Sequence, residues 1–174
     1  MIVIIDLGLG NIASVANMLD YIGIEWAICQ TPEGIPESQH FILPGLGAFD
    51  SGAAALQRSG WGEFIQRRDP AVRILGICLG MQLLGSASEE GVEPGLGLIP
   101  ADFVRFDPRS CVVPHMGWNE IDVVGGHPLF AGLSQPPRFY FTHSYHAICE
   151  DPADSLATAD HGESFVAAYG RGNT

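Results

Sequence analysis

Four short apolar runs, set between helical patterns and glycine-rich turns, constrain this chain more than any other feature. Met1–Asp6, Ile24–Cys29, His40–Leu43 and Ile74–Ile77 are dominated by apolar, mostly β-branched residues and are too short for core helices, so each reads as a buried strand. Between them, Asn11–Ile22 places Ile12, Val15, Ala16 and Leu19 at helical spacing, and Pro32–Glu37 reads as a turn-rich connection. Gly52–Gln66 is a helical pattern broken at Ser59-Gly60, and a further helix is expected from Cys78 to about Ala87. Strands that are apolar throughout and alternate with helices pair in parallel, because the crossover helices cover both faces of the sheet. The expected class is α/β, with an open, mostly parallel sheet flanked by helices.

Beyond Gly91 the texture changes to short apolar runs separated by Gly, Pro and Asp. Phe103–Phe106, Asn119–Val124, Phe139–Thr142 and His146–Cys149 are expected as strands of a mixed or antiparallel extension. No repeat or linker divides the chain, so residues 1–174 read as a single domain. The net charge of −12 argues against nucleic acid or an anionic membrane as partner. No apolar run approaches the roughly 20 residues of a membrane span. Asp6 follows Met1-Ile-Val-Ile-Ile5 directly, which suits a strand and not a signal peptide. The four cysteines are widely spaced, which favours a reduced, cytoplasmic chain over a disulfide scaffold or a metal site. Nothing in the sequence calls for a metal or an organic cofactor.

In open parallel sheets ligands bind beyond the carboxyl ends of the strands. Asp6-Leu-Gly-Leu-Gly10, Pro44-Gly-Leu-Gly47 and Cys78 would all lie on that edge. Gly76-Ile-Cys78-Leu-Gly80 is a glycine-flanked nucleophile at a strand-to-helix junction, the arrangement of a sharp turn that holds its central side chain in strained backbone geometry. The first turn of a helix is expected to lower the thiol pKa through its unpaired N–H groups. On this motif alone a buried core cysteine is the alternative.

Five segments together resemble the class I, triad-type glutamine amidotransferases: Asp6–Ser14, Leu43–Phe49, Gly76–Gln82, Val113–Asn119 and Tyr140–Tyr145. Phe165–Asn173 continues the likeness, and Pro114-His-Met-Gly-Trp-Asn119 narrows it to the glutaminase subunit of imidazole glycerol phosphate synthase. The resemblance implies a flavodoxin-like fold and hydrolysis of glutamine to glutamate and ammonia by Cys78. It implies an oxyanion hole from the Leu79 N–H and the Gly45-Leu46-Gly47 loop, whose glycines would let a peptide reorient as an on/off control. Gln82 and the Ser144-Tyr145 backbone would hold the α-amino and α-carboxylate ends of glutamine. Asn11, His115, Met116, Gly117, Trp118 and Asn119 would face a cyclase subunit, a (β/α)₈ barrel. In that heterodimer the ammonia would serve the synthesis of imidazole glycerol phosphate and AICAR, in histidine biosynthesis.

The family pattern also calls for a His-Pro-Glu segment on a strand after Phe165–Asn173, where this sequence reads Arg171-Gly-Asn-Thr174. The domain is therefore expected to be incomplete at its carboxyl end, with impaired hydrolysis and an exposed sheet edge. His161-Gly-Glu163 reproduces the spacing, but it lies upstream in a turn and does not read as the missing pair; His143 and His146 would be structural. Leu7 and Leu9 stand where the family often has an aromatic and a variable residue. Two alternatives stay open: a non-catalytic module docking on a (β/α)₈ partner, and an amidotransferase of the same subfamily serving another acceptor such as a sugar nucleotide.

Overall fold

The first half of the chain folds as its apolar runs dictate. In the structure, a computed structural model describing residues 1–174, the elements run β1 (Ile2–Ile5), α1 (Ile12–Tyr21), β2 (Trp26–Cys29), β3 (His40–Gly45), α2 (Phe49–Ser59), α3 (Trp61–Gln66), β4 (Arg73–Cys78) and α4 (Leu79–Leu84). The four strands form one parallel sheet in the order β2-β1-β3-β4. Alternation sends Val3, Ile5, Phe41 and Leu43 to one face, where Phe49, Leu56, Trp61, Ile65, Leu79 and Leu83 complete the largest core. Ile4 and Ile42 point the other way, onto Ala16 and Leu19 of α1. The break at Gly60 is a left-handed residue (φ 80°) that ends α2 and opens α3.

Cover on the α1 face is uneven. Leu75 pairs with Ile42 and so shares that face, yet Leu75 and Ile77 are 39% and 41% exposed. β4 is also an edge strand, and the outward Ile74 N–H is taken by the Asn173 carbonyl at 2.9 Å.

The second half builds β5 (Ala87–Ser88), β6 (Ala101–Arg105), β7 (His115–Glu120), β8 (Asp122–Val123), β9 (Arg138–His143), β10 (Tyr145–Cys149), β11 (Ser155–Asp160) and β12 (Ser164–Tyr169). Six of these pair as β5-β6-β10-β12-β11-β8, antiparallel except for β5–β6, while β7 and β9 form a separate antiparallel ribbon. The expected strand Asn119–Val124 is thus split between the ribbon and the sheet. The helix expected to reach Ala87 stops at Leu84. Gly85 turns extended (φ −77°, ψ −169°), Ser86 N–H bonds Ala101 O, and a Cβ at Gly85 would lie 2.7 Å from that oxygen. β11 and β12 were not expected: Ser155-Leu-Ala-Thr-Ala-Asp160 has little intrinsic β preference and is a strand because its neighbours pair with it. Tyr169 of β12 donates its hydroxyl proton to Met81 O at 2.8 Å, tying this sheet to α4.

Candidate active site

Cys78 ends β4 and caps α4 with φ 55° and ψ −116°, and no other non-glycine residue has a positive φ. The flanking glycines make this turn possible. A Cβ at Gly80 would lie 1.7 Å from Leu43 O, and one at Gly76 would lie 2.7 Å from Leu84 Cδ1 and from the Met81 backbone. Strained, glycine-framed geometry of this kind is a feature of functional sites and not of ordinary core cysteines. The side chain is exposed, which removes the buried-cysteine alternative.

The thiol differs from the expectation in one respect. The Leu79 N–H bonds to it and lowers its pKa, but desolvation by the protein packed around the sulfur of this solvent-reachable residue, the larger effect, and the Glu90 carboxylate raise it, and the net shift is upward. Six residues of α4 build little dipole, so desolvation outweighs it.

Gly45 of β3 lies directly opposite Cys78 in the parallel ladder. The chain then passes through exposed Leu46 to Gly47, whose φ of +106° suits glycine alone. Leu46 N–H donates to Leu9 O at 3.2 Å, so one N–H of the loop expected to supply the second donor is already held by the first glycine loop. Gln82, four residues along α4 from Cys78, is half-buried, and its Oε1 is buried without any hydrogen-bond donor. Such an orphan acceptor costs stability unless a ligand supplies the proton.

Ser144 and Tyr145 form the corner where the ribbon meets the sheet. Phe106 N–H binds Ser144 O at 3.0 Å, and Tyr145 and Met81 of α4 both pack against the core cluster around Phe103 and Tyr169. Glu90 was missed by the sequence reading. Its Oε2 accepts Phe49 N–H at 2.9 Å, while Asp50 in return accepts Val92 N–H and Glu93 N–H. This clasp brings a carboxylate toward Cys78; the Glu89-Glu90-Gly91 run soon after the helix was its only signal in the sequence.

The residues expected at a partner surface divide in two. Met116 and Trp118 are 63% and 66% exposed, and the Trp118 ring sits 5.8 Å from exposed Tyr140 on β9. His115 is 5% exposed and turned inward, Asn119 and Gly117 are half-buried, and Asn11 caps α1 by accepting Ser14 N–H at 3.2 Å. Strand alternation explains the division within β7, since its odd and even positions face opposite ways, while the Asn11 cap lies exposed at the start of α1.

None of the six histidines hydrogen-bonds to the Cys78 thiol. His115, His143, His146 and His161 gather around Phe106, and the His161 ring stacks on His115 with Nε2 2.7 Å from Val112 O. His40 lies at the far end of β3 beside Arg73, and His127 caps a short turn at Pro128–Phe130.

The family model of glutamine amidotransferase class-I matches residues 3–173. The chain belongs to the class-I glutamine amidotransferases. Among its relatives, imidazole glycerol phosphate synthase subunit HisH 2 of Pseudomonas aeruginosa is 46% identical, over 99% of this chain and 87% of the relative. The HisH subunit of Symbiobacterium thermophilum is 42% identical, over 99% and 82%. Solved structures agree on the fold. A glutamine amidotransferase crystal structure matches with a TM-score of 0.64 at 16% identity, covering 93% of this chain and 85% of its own. PurLQS from Thermotoga maritima matches with a TM-score of 0.63 at 16% identity, over 93% and 76%. In this amidotransferase the glycine-framed cysteine caps α4 and the orphan Gln82 acceptor lies on it. No helix is long and apolar enough to cross a membrane.

Proposed function

We propose that this chain is the glutaminase subunit of an imidazole glycerol phosphate synthase, acting as one domain in the cytoplasm. It would hydrolyse glutamine at Cys78 and pass ammonia to a cyclase subunit, a (β/α)₈ barrel, for histidine biosynthesis. The observation that carries the reading is the Cys78 elbow, strained and open to solvent in a chain of this family. Sγ would bond the glutamine carboxamide carbon, sending the C=O electron pair to oxygen. The Leu79 N–H would meet that oxyanion, and Leu46 N–H would join it after leaving Leu9 O, so that loop reorientation acts as the control. Each such donor is worth roughly 2.7–4 kcal/mol. Collapse would expel the nitrogen, with the thiol proton, as ammonia. Water would then cleave the γ-glutamyl thioester to glutamate and restore the thiol. Gln82 Oε1, buried without a donor, supports binding of the substrate α-ammonium.

Proton transfer in this scheme needs a carrier, and no imidazole bonds the thiol. Hydrolysis by these 174 residues alone is therefore expected to be about 10²–10⁴-fold slow, the usual worth of a general base. The test is glutamate release with the cyclase subunit and its nucleotide ligand present, beside a Cys78→Ala control. Slow release that vanishes in the control, and rises when a His-Pro-Glu strand is supplied along β4, supports the reading. Release indifferent to the control would end it. The outward Met116, Trp118 and Tyr140 also favour a second reading, a docking module without glutaminase activity. A stable complex that makes no glutamate even with the added strand would select it.

A further inference from the structure

Inside the ribbon, two imidazoles link the strand carrying Trp118 to the Ser144–Tyr145 corner through bonds whose proton positions are all determined. Tyr145 O can only accept, so the contact of 2.9 Å to His143 Nδ1 puts a proton on that nitrogen. Neutral His143 then has an accepting Nε2, and His115 Nδ1, 2.9 Å away, must donate to it. His115 Nε2 is left as an acceptor facing the Asn119 amide nitrogen at 3.4 Å, and that same nitrogen donates to Asp160 O at 2.7 Å. His115 and His143 are directly opposed across β7 and β9. Because Phe106 N–H pins Ser144 O, both carbonyls of the corner are engaged and its amide planes are set.

We propose that His115 and His143 are positioning residues for glutamine: their relay holds the Ser144–Tyr145 corner in its binding geometry and couples that corner to β7. The inference rests on the reading of that corner as the site for the backbone groups of glutamine. Neither imidazole touches substrate; both act through Tyr145.

The relay works with neutral rings only. A proton on His143 Nε2 would face the His115 N–H, and a proton on His115 Nε2 would face the Asn119 amide N–H. Either places a cation among Phe106, Phe141 and Phe165. Burial, followed by the neighbouring His161 and His143, lowers the His115 pKa to about 4. Burial also lowers that of His143, with the Tyr145 carbonyl opposing and His146 and His161 adding to the shift. The charged groups around the cluster are Glu163 and Glu89, which act on His146, and Asp160, whose carboxylate is held by Gly162 N–H.

The test is calorimetric titration of the 174-residue protein with L-glutamine, on the parent, His143→Phe, His143→Asn and His115→Phe. The rate of iodoacetamide alkylation of Cys78 reports whether the elbow is intact. Asn keeps a donor where His143 Nδ1 stands, and Phe keeps only the ring. His143→Phe is expected to weaken glutamine binding about 5–10-fold, the worth of one such bond, with His143→Asn within about 2-fold of the parent and alkylation unchanged. The parent should lose affinity as pH falls from about 5 toward 4, where His115 charges, and His143→Asn should lose less over the same range. Phe as good as the parent, or Asn as poor as Phe, overturns the proposal. Should His143→Phe and His115→Phe fail to fold, the pH comparison of the parent with His143→Asn decides, and identical profiles overturn it. If the parent binds no glutamine, the reading of the site fails first and this proposal falls with it.

Discussion

The two halves of the molecule carry their chemistry differently. The parallel sheet holds Cys78 through contacts between near neighbours in sequence: Gly76, Gly80 and the β3 strand that ends at Gly45. The antiparallel half gathers His115, His143, His146 and His161 from four places along the chain, through strand pairings that no local pattern announces. A nucleophile elbow is a local device, while an imidazole cluster depends on long-range register.

If the halves are separate in energy as well as in construction, core truncations in each should add. Trp61 and Phe106 are fully buried in clusters without a shared residue. Trp61→Ala and Phe106→Ala are each expected to cost about 3–5 kcal/mol in urea unfolding. The double variant should equal their sum within about 0.5 kcal/mol; strong non-additivity would break the comparison. These parent and variant curves also show whether unfolding is a single transition.

Acid should act on the second half first. Folded-state pKa values of His115, His143 and His146 are lowered, with His115 reaching about 4. Keeping them neutral contributes stability above the unfolded value near 6.5, and that contribution is lost as pH falls from there toward 4. Amide exchange should quicken in β7, β9 and β12 before it quickens in β1 and β3. His115→Phe should flatten the trend. Equal acid sensitivity in both halves would contradict the assignment.

Smaller effects sharpen the picture at the surface. Gly47→Ala, forced to φ +106°, is expected to lower stability by about 1 kcal/mol or more, seen as a shift of the urea midpoint, and to slow glutamate release. Trp118→Ala, 66% exposed, should change stability by less than about 0.5 kcal/mol while weakening capture of the cyclase subunit.

Much of the first half was legible because strand, glycine loop and elbow are written in consecutive residues. Asn11–Ile22 became α1 with its caps, and Ser59-Gly60 marked a true break. What failed depended on partners. Gly85 stops α4 early because Ala101 O comes close, and β11 is a strand only through its ladders. His115 was expected outward from its place in a motif, and the β7 register turned it in. The thiol pKa was misjudged because burial and Glu90 outweigh a two-turn helix. Glu90 itself was invisible until its clasp with Phe49 and Asp50 closed.

The most direct test of Cys78 as the nucleophile is peptide-mapping mass spectrometry after the protein, with the cyclase subunit, is incubated with glutamine and quenched in acid. A γ-glutamyl group is expected on Cys78 and on no other cysteine, absent from Cys78→Ala. The same group on Cys29, Cys111 or Cys149, or glutamate formation that survives Cys78→Ala, would contradict it.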